Sequence, residues 1–454
     1  LAVRAKNDFL VLEERTGKET YGGKRIKFPQ ETVQEVQEYW RREGYHLVFR
    51  AFSDLYKIRI PIFFVRAVKS LETANDNNRL LSGMGKGLTD EYAKASAVME
   101  MVERFSAGRF KEEDIIRAPY TAVRDKAVDP FRLLFSAEKD YTHDLEIDFT
   151  GGYSLTHRRK VLVPATFAYF TYNCRIDKGK IIHVRDGIKT LVPSNGLASG
   201  NCLEEAILHG LYEVIERDAV FIMWLNKLAM PDVDVSGVKN EHLRNILTGF
   251  NRAQVDLHIK YIPSDLTRAH TFFCLAVDRN HQNKFPAFSF GCGTHADPEI
   301  ALSRAVTELG QILITIMLHR KNMNLPEYRE HYDQNHRQNI KNFCRSDSLE
   351  YFHFLLEKPA SIAFDQLVNH SNNNLKEEIE DHVASLHKKG FEVLVVPLTL
   401  PSLNIPVVRV LVPGLQSPVK KDFSRIYTDR LFTVPEKMGC PRKTAEELNS
   451  FELI

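Results

Sequence analysis

SNGLASGNCLEEAILHGLYEVIERDAVFIMWLNK, residues 194–227, decides how this chain is read. A small-residue loop runs into a long helix rich in Leu, Ile, Val, Phe and Met, a composition that predicts burial. Glu205, His209, Glu213, Glu216 and Arg217 interrupt that apolar surface. At roughly 100° per residue, Glu205, His209, Glu213 and Glu216 fall within about 80° of one another. Carboxylates on one stripe of a buried helix are costly unless cations or donors meet them. The rest of the chain must supply those partners.

Two other stretches offer them. In LSGMGKGLTDEYAKASAVMEMVERFSAGRF, residues 81–110, Gly83, Gly85 and Gly87 flank Lys86. Thr89 or Asp90 then starts a helix that ends near Gly108. Ser96, Glu100 and Glu103 lie at i, i+4 and i+7 on one face, and Arg104 follows. In GCGTHADPEIALSRAVTELGQILITIMLHRK, residues 291–321, Asp297 is a good N-cap and Pro298 suits the first helical position. Arg304, Glu308 and Gln311 repeat the same layout. SAVMEMVER (96–104) and HGLYEVIER (209–217) share E-x-x-E-R at one offset, and RAVTELGQ (304–311) echoes it. Three such helices, each preceded by strand and glycine, predict a duplicated α/β (α+β) plan.

The chain has 454 residues, 43% hydrophobic, with a net charge of +2. That is ample for a large core, and the near-balance of charge argues against a nucleic-acid partner. Six scattered cysteines without a C-x-x-C argue against a zinc site and for a reduced, cytoplasmic protein. Cys440 reads as a small, partly buried side chain. No wholly apolar run is long enough to span a membrane, and charges come too early for a signal peptide. Along the chain, residues 1–30 read as irregular, 31–43 as helix and 56–68 as a buried strand. Residues 151–193 read as strands, 239–250 as helix and 258–262 as strand. The segments HTFFCLAVDR and FPAFSFGCGTH read as further strands, as do FEVLVVPLTL and IPVVRVLVPG. Residues 321–390 read as a peripheral helical region, and 415–454 as an irregular, charged tail.

Facing one cleft, Glu100, Glu103, Glu213, Glu216 and Glu308 would repel one another unless neutralised. Hard divalent cations do this, and Mg²⁺ also takes phosphate oxygens. Arg104, Arg217, Arg304 and Lys86 add charge suited to phosphate. The stretches SGMGKG, SNGLASGN and GCGTHADP read as loops whose backbone N–H groups favour anions. Together these read as a Mg-nucleotide site, although there is no Walker-type P-loop. His209 reads as a packing histidine and His295 as a turn residue. Asn201 reads either as the cap of its helix, with Glu204 as partner, or as a nucleotide contact.

The stretches GKGLTDEYAKASAVMEMVERFSA, SNGLASGNCLEEAILHGLYEVIERDA and GCGTHADPEIALSRAVTELGQ, with the later IPVVRVLVPGL, resemble the YcaO family. The resemblance implies β-sheets packed with long amphipathic helices around a Mg-ATP cleft. It places the family domain at 55–415, after an N-terminal segment at 1–54 and before a tail at 416–454. It implies an ATP- and Mg²⁺-dependent enzyme that phosphorylates a peptide backbone amide on oxygen. A nucleophile then displaces phosphate: a Cys, Ser or Thr side chain gives an azoline, and external sulfide gives a thioamide. By motif position, Glu100, Glu103, Glu213, Glu216 and Glu308 would hold Mg²⁺. Asn201, Glu205, Arg217 and Arg304 would contact nucleotide and Lys86 would approach phosphate. Ser96, Arg104 and Gln311 belong to the same nucleotide motifs.

Many azoline-forming members end in a P-x-P-x-P tail, whereas this chain ends EELNSFELI. The resemblance therefore points to thioamide formation on a peptide or protein substrate, with a separate TfuA-like or substrate-recognition partner and a homodimer as an option. The alternatives are an azoline-forming cyclodehydratase acting on a ribosomally made precursor, and a nucleotide-binding accessory protein in ribosomal-protein methylthiolation. A paired-carboxylate hydrolase fits poorly with E-x-x-E-R recurring beside Lys and Arg.

Overall fold

The computed structural model describes residues 10–449, apart from 53–57, 70–78, 134–140, 171, 173, 178–179, 184–193, 279–285, 323, 325–339, 346, 358–359 and 418–427. Two of the thirteen residues expected as a strand over 56–68, and the last part of 151–193, fall outside that set.

After an irregular start, α1 (Pro29–Arg42) leads into β1 (His46–Ala51), β2 (Ile62–Val68) and β3 (Ser82–Lys86), an antiparallel sheet in that order. This sheet crosses the domain boundary expected at 54/55. Helix α2 (Asp90–Ala107) follows, with Trp40 of α1 packed edge-on against its Phe105. Next come β4 (Ile116–Pro119), β5 (Glu146–Ser154), β6 (Arg159–Pro164), the hairpin β7 (Cys174–Asp177) and β8 (Lys180–His183), and β9 (Leu197–Ser199). The central helix α3 (Leu203–Asn226) is succeeded by β10 (Asp232–Asp234), α4 (Glu241–Arg252), β11 (Val255–Ile262), β12 (His270–Asp278) and β13 (Phe288–His295). Helix α5 (Pro298–Asn322), β14 (Ser361–Ala363), α6 (Leu375–Lys388), β15 (Leu394–Pro397), β16 (Val407–Leu411) and α7 (Arg430–Lys437) complete the main elements.

A second sheet has the order β4-β5-β15-β16-β9, with β6 also on β5. A third runs β13-β12-β11-β10-β14. The buried stripe of α3 divides between two cores. Ala206 to Ile215 pack with Val408 and Val410 of β16, and Val220 to Leu225 pack with Phe273 and Phe288 of the third sheet.

The SGMGKG loop is the strand β3, and of the two readings given to GCGTH the strand is the one that holds. Gly83 and Gly85 of β3 lie against α2, where an added Cβ would stand 2.2 Å from the Ala97 carbonyl oxygen and 2.0 Å from the Ala97 nitrogen. Gly291 and Gly293 of β13 meet α5 in the same way, 2.2 Å from the Leu309 nitrogen and 2.2 Å from the Ala301 oxygen. The glycines let each helix sit directly on its strand. The middle stretch contributes only the three residues of β9 as strand, yet its loop reading also changes, as shown below.

Three further expectations need correction. The region 321–390 is not all peripheral: α6 packs on α3, with Tyr212 donating to Glu378 at 2.5 Å and His382 3.1 Å from the Tyr212 hydroxyl. The tail is not irregular throughout, because α7 docks on α3 through Arg430 bound to Asp218 and Asp265. Helix α5 is long and apolar enough to cross a membrane, with a mean hydropathy of 1.4 over its most apolar window. Because 67% of that window is buried, it is a core helix here.

Candidate nucleotide and metal cleft

Among the described residues, β3, β9 and β13 are edge strands, one from each of the three larger sheets, and their edges meet at one cleft of about 440 Å³. Helices α2, α3 and α5 supply its walls. Unpaired strand edges leave backbone groups that must find partners. Here the helices provide them. Met84 N–H of β3 donates to Glu100, and its carbonyl accepts from Gln311. Ser199 N–H of β9 donates to Glu103 at 3.0 Å, and its hydroxyl does so at 2.9 Å. The Thr294 carbonyl of β13 accepts from Arg304 at 3.2 Å.

This corrects the expected anion cradle. The N–H groups of Gly196 and Asn201 likewise donate to carboxylates, those of Glu213 (3.2 Å) and Glu205 (3.0 Å). At the first two helix starts these backbone donors serve the protein's own glutamates, and at the third the N–H groups of Asp297 and Glu299 go to His295 and Asp297.

All thirteen residues singled out from sequence line this cleft: Lys86, Ser96, Glu100, Glu103, Arg104, Asn201, Glu205, Glu213, Glu216, Arg217, Arg304, Glu308 and Gln311. They divide into two groups. On one side Lys86 Nζ is 2.8 Å from Glu308 Oε2, while Arg217 Nη2 lies 3.4 Å from Glu308 Oε1 and 3.5 Å from Glu216 Oε1. Burial opposes ionisation of Glu308, but Lys86 and Arg217 hold its carboxyl below the usual range. On the other side, burial pushes Glu103 up to about 8, with Glu100 adding to the rise. Burial likewise pushes Glu213 up to about 7, against the pull of Arg217. Glu216 is also raised, chiefly by burial. Burial, more than any shortage of cations, raises these acids, and a hard divalent cation such as Mg²⁺ suits carboxylate oxygens gathered in one cleft.

Glu205 is 1% exposed. Its carboxylate accepts from Asn201 N–H and Nδ2, each at 3.0 Å, and from Ile26 N–H at 2.6 Å. Glu205, rather than Glu204, thus closes the start of α3. Glu204 instead accepts from Glu13 N–H at 2.7 Å. His209 lines the cleft, and burial plus the nearby Arg304 and Arg25 keep it neutral. His295 ends a strand, where its Nδ1 accepts from Asp297 N–H at 2.9 Å. Cys440 is partly buried.

Sequence reasoning missed two contributors. The irregular N-terminal segment reaches the cleft with Tyr21, Arg25 and Lys27, and the start of α1 adds Thr32. Arg25 lies 3.6 Å from Glu205, and Thr32 donates to Asn201 at 2.8 Å. No periodic pattern marks such a strap. Arg409 of β16 is fully buried behind Glu213 and Glu103; burial lowers it to about 10 while those two acids oppose the fall. A lone Arg in the apolar run IPVVRVLVPG was the available signal. A second cavity, of about 290 Å³, lies around Trp40, Tyr45, Phe105 and Arg109 and holds none of the thirteen.

Comparison with known proteins puts a family to this geometry. A family model described as YcaO cyclodehydratase, ATP- and Mg²⁺-binding, matches residues 84–416. The chain belongs to the YcaO family. A YcaO structure from Methanopyrus kandleri, bound with AMPPCP and Mg²⁺, is 24% identical with a TM-score of 0.65, over 88% of this chain and 94% of that one. A heterocyclase in complex with substrate and cofactor is 24% identical with a TM-score of 0.77, over 97% of this chain. This chain spans 58% of that heterocyclase's length. An uncharacterised protein from the tfuA 3′ region of Rhizobium leguminosarum bv. trifolii is 25% identical over 81% of this chain and 83% of its own length. The likeness to the two solved structures establishes the YcaO fold. Arg25, Lys27 and Thr32 precede the matched range, so this wall of the cleft lies outside the family model.

Proposed function

We propose that this YcaO protein binds Mg-ATP in the cleft and uses it to phosphorylate the oxygen of a peptide backbone amide, forming a thioamide when sulfide replaces the phosphate. The observation that carries the reading is the convergence of Glu103, Glu213 and Glu216, raised by burial, with Lys86, Arg217 and Arg304 in one cleft. When bound, Mg²⁺ would neutralise charge on the transferring phosphoryl group. Glu216 and Glu308 on one side, and Glu100, Glu103 and Glu213 on the other, are the residues to hold it. Lys86, Arg217 and Arg304 would face phosphate oxygens, with Arg25 and Lys27 as further cations from the strap. Catalysis of this kind rests on positioning and charge stabilisation, so no covalent enzyme nucleophile is required. Asn201, Ser96, Arg104 and Gln311 complete the nucleotide-binding set. Glu205 orients Asn201 and anchors the strap.

In atoms, the amide oxygen bonds to the γ-phosphorus as ADP leaves. Sulfide then bonds to the former carbonyl carbon and phosphate departs with the oxygen. The relative from a tfuA region supports a separate TfuA-like partner, and with it the thioamide outcome. The named heterocyclase similarity supports azoline formation as the second reading.

The test is to incubate the protein with Mg-ATP, candidate peptides and sulfide, with and without a TfuA-like protein. Peptide-dependent phosphate release with oxygen-to-sulfur exchange supports the thioamide reading. Loss of one water from the peptide supports the azoline. Neither change across substrates and partners supports an accessory role.

A further inference from the structure

Cys292 has no task in the reading above. It lies on β13 between Gly291 and Gly293, which face α5, so strand alternation turns its side chain the other way, towards α3. The thiol is 2% exposed. Its sulfur lies 3.4 Å from Glu216 Oε1 and 3.8 Å from Glu308 Oε1, and Arg217 Nη1 donates to it at 3.1 Å. Among the described residues, this is the group in which three metal-ligating side chains bring donor atoms within 4.8 Å of one another.

These spacings are those of donors around one ion. For metal–sulfur and metal–oxygen bonds of about 2.3 and 2.1 Å at a tetrahedral centre, sulfur and oxygen stand about 3.6 Å apart. Mg²⁺ is a hard cation that prefers oxygen, whereas a thiolate selects softer ions. The three donors come from α3, α5 and β13, so the fold itself assembles the set.

We propose that Glu216, Glu308 and Cys292 form a site for a thiophilic divalent cation, Zn²⁺ or Cd²⁺, whose occupancy excludes Mg²⁺ from the Glu216–Glu308 pair. On ligation the thiol releases its proton to solvent and a metal–sulfur bond forms, with no change in oxidation state. Arg217 then donates to a thiolate instead of a thiol. The absence of a C-x-x-C concealed the site, because its single sulfur is completed by two carboxylates, 76 and 16 residues away in sequence. The exclusion of Mg²⁺ rests on the metal assignment proposed above, whereas Cd²⁺ binding to the three donors without nucleotide or Mg²⁺ tests the site separately.

The probe is Cd²⁺, titrated into the full chain without nucleotide or Mg²⁺ and followed by ultraviolet thiolate-to-cadmium charge-transfer absorption. The expected result is one equivalent of absorption that Cys292→Ser lacks and that Cys344→Ser and Cys440→Ser retain. Glu308→Gln, which keeps the sulfur, is expected to weaken the Cd²⁺ midpoint at least tenfold. Added Mg²⁺ should shift the wild-type midpoint upward. Equal absorption in wild type and a folded Cys292→Ser variant overturns the proposal. So does an unchanged midpoint in Glu308→Gln, a readout that remains if Cys292→Ser fails to fold.

Discussion

Lys86 Nζ lies 2.8 Å from Glu308 Oε2, which ties the edge strand β3 to helix α5 across the cleft. The two residues are 222 apart in sequence. Lys86→Met removes the largest charge that holds Glu308 ionised, and with it the cation proposed to face phosphate. Affinity for Mg-ATP should fall at least about tenfold, or ~1.4 kcal/mol. Calorimetry on a variant with wild-type circular dichroism checks this, and unchanged affinity would remove Lys86 from the site.

The raised acids set a pH dependence. Glu103 at about 8 and Glu213 at about 7 keep protons in the ligand-free fold that the unfolded chain has released above its ordinary carboxylate range. The native state then binds more protons than the unfolded one, so these groups' contribution to stability declines as pH rises through that window. Mg²⁺ needs them ionised. Its affinity should therefore climb between pH about 6 and about 8, while the Mg-free melting temperature drifts down. Flat or opposite trends would refute the assignment.

Helix α7, near the C-terminus, should matter to stability. Arg430 Nη2 lies 2.7 Å from Asp218 Oδ2 and 2.7 Å from Asp265 Oδ1. Arg430→Met strands the buried Asp218 carboxylate and should cost about 3–5 kcal/mol. A denaturant midpoint equal to wild type would show that α7 is dispensable.

Glycine packing makes a paired prediction. A Cβ at Gly85 would lie 2.0 Å from the Ala97 backbone nitrogen, whereas one at Gly151 of β5 meets nothing within 4 Å. Gly85→Ala must push α2 off β3 and should cost about 1–3 kcal/mol or more. Gly151→Ala should stay within about 0.5 kcal/mol. Thermal melts of the two variants decide it.

Much of this site was legible because its helices carry charge where periodicity demands apolar residues. Glu213 and Glu216 stood out on α3, and the same offset in α2 located Glu100 and Glu103. The helix bounds followed from Gly108 and from Asp297-Pro298. What misled was glycine. Gly83 and Gly85 suggested a loop, and so did Gly291 and Gly293, already within the strand read over FPAFSFGCGTH; a strand under a tightly packed helix needs the same residue. The strap with Arg25 and the support from Arg409 escaped because both depend on contacts between distant segments. Docking of α6 and α7 escaped for the same reason: Glu378 and Arg430 look like surface charges until α3 presents Tyr212 and Asp218.

The central claim is that these glutamates hold the metal of a Mg-nucleotide. Its most direct test is a calorimetric titration of AMPPCP into wild type and Glu216→Gln, each with Mg²⁺ and with a chelator. Wild type should bind in a Mg²⁺-dependent manner, and the folded variant should lose at least about tenfold of that affinity. Equal Mg²⁺-dependent affinity in both proteins would contradict the account.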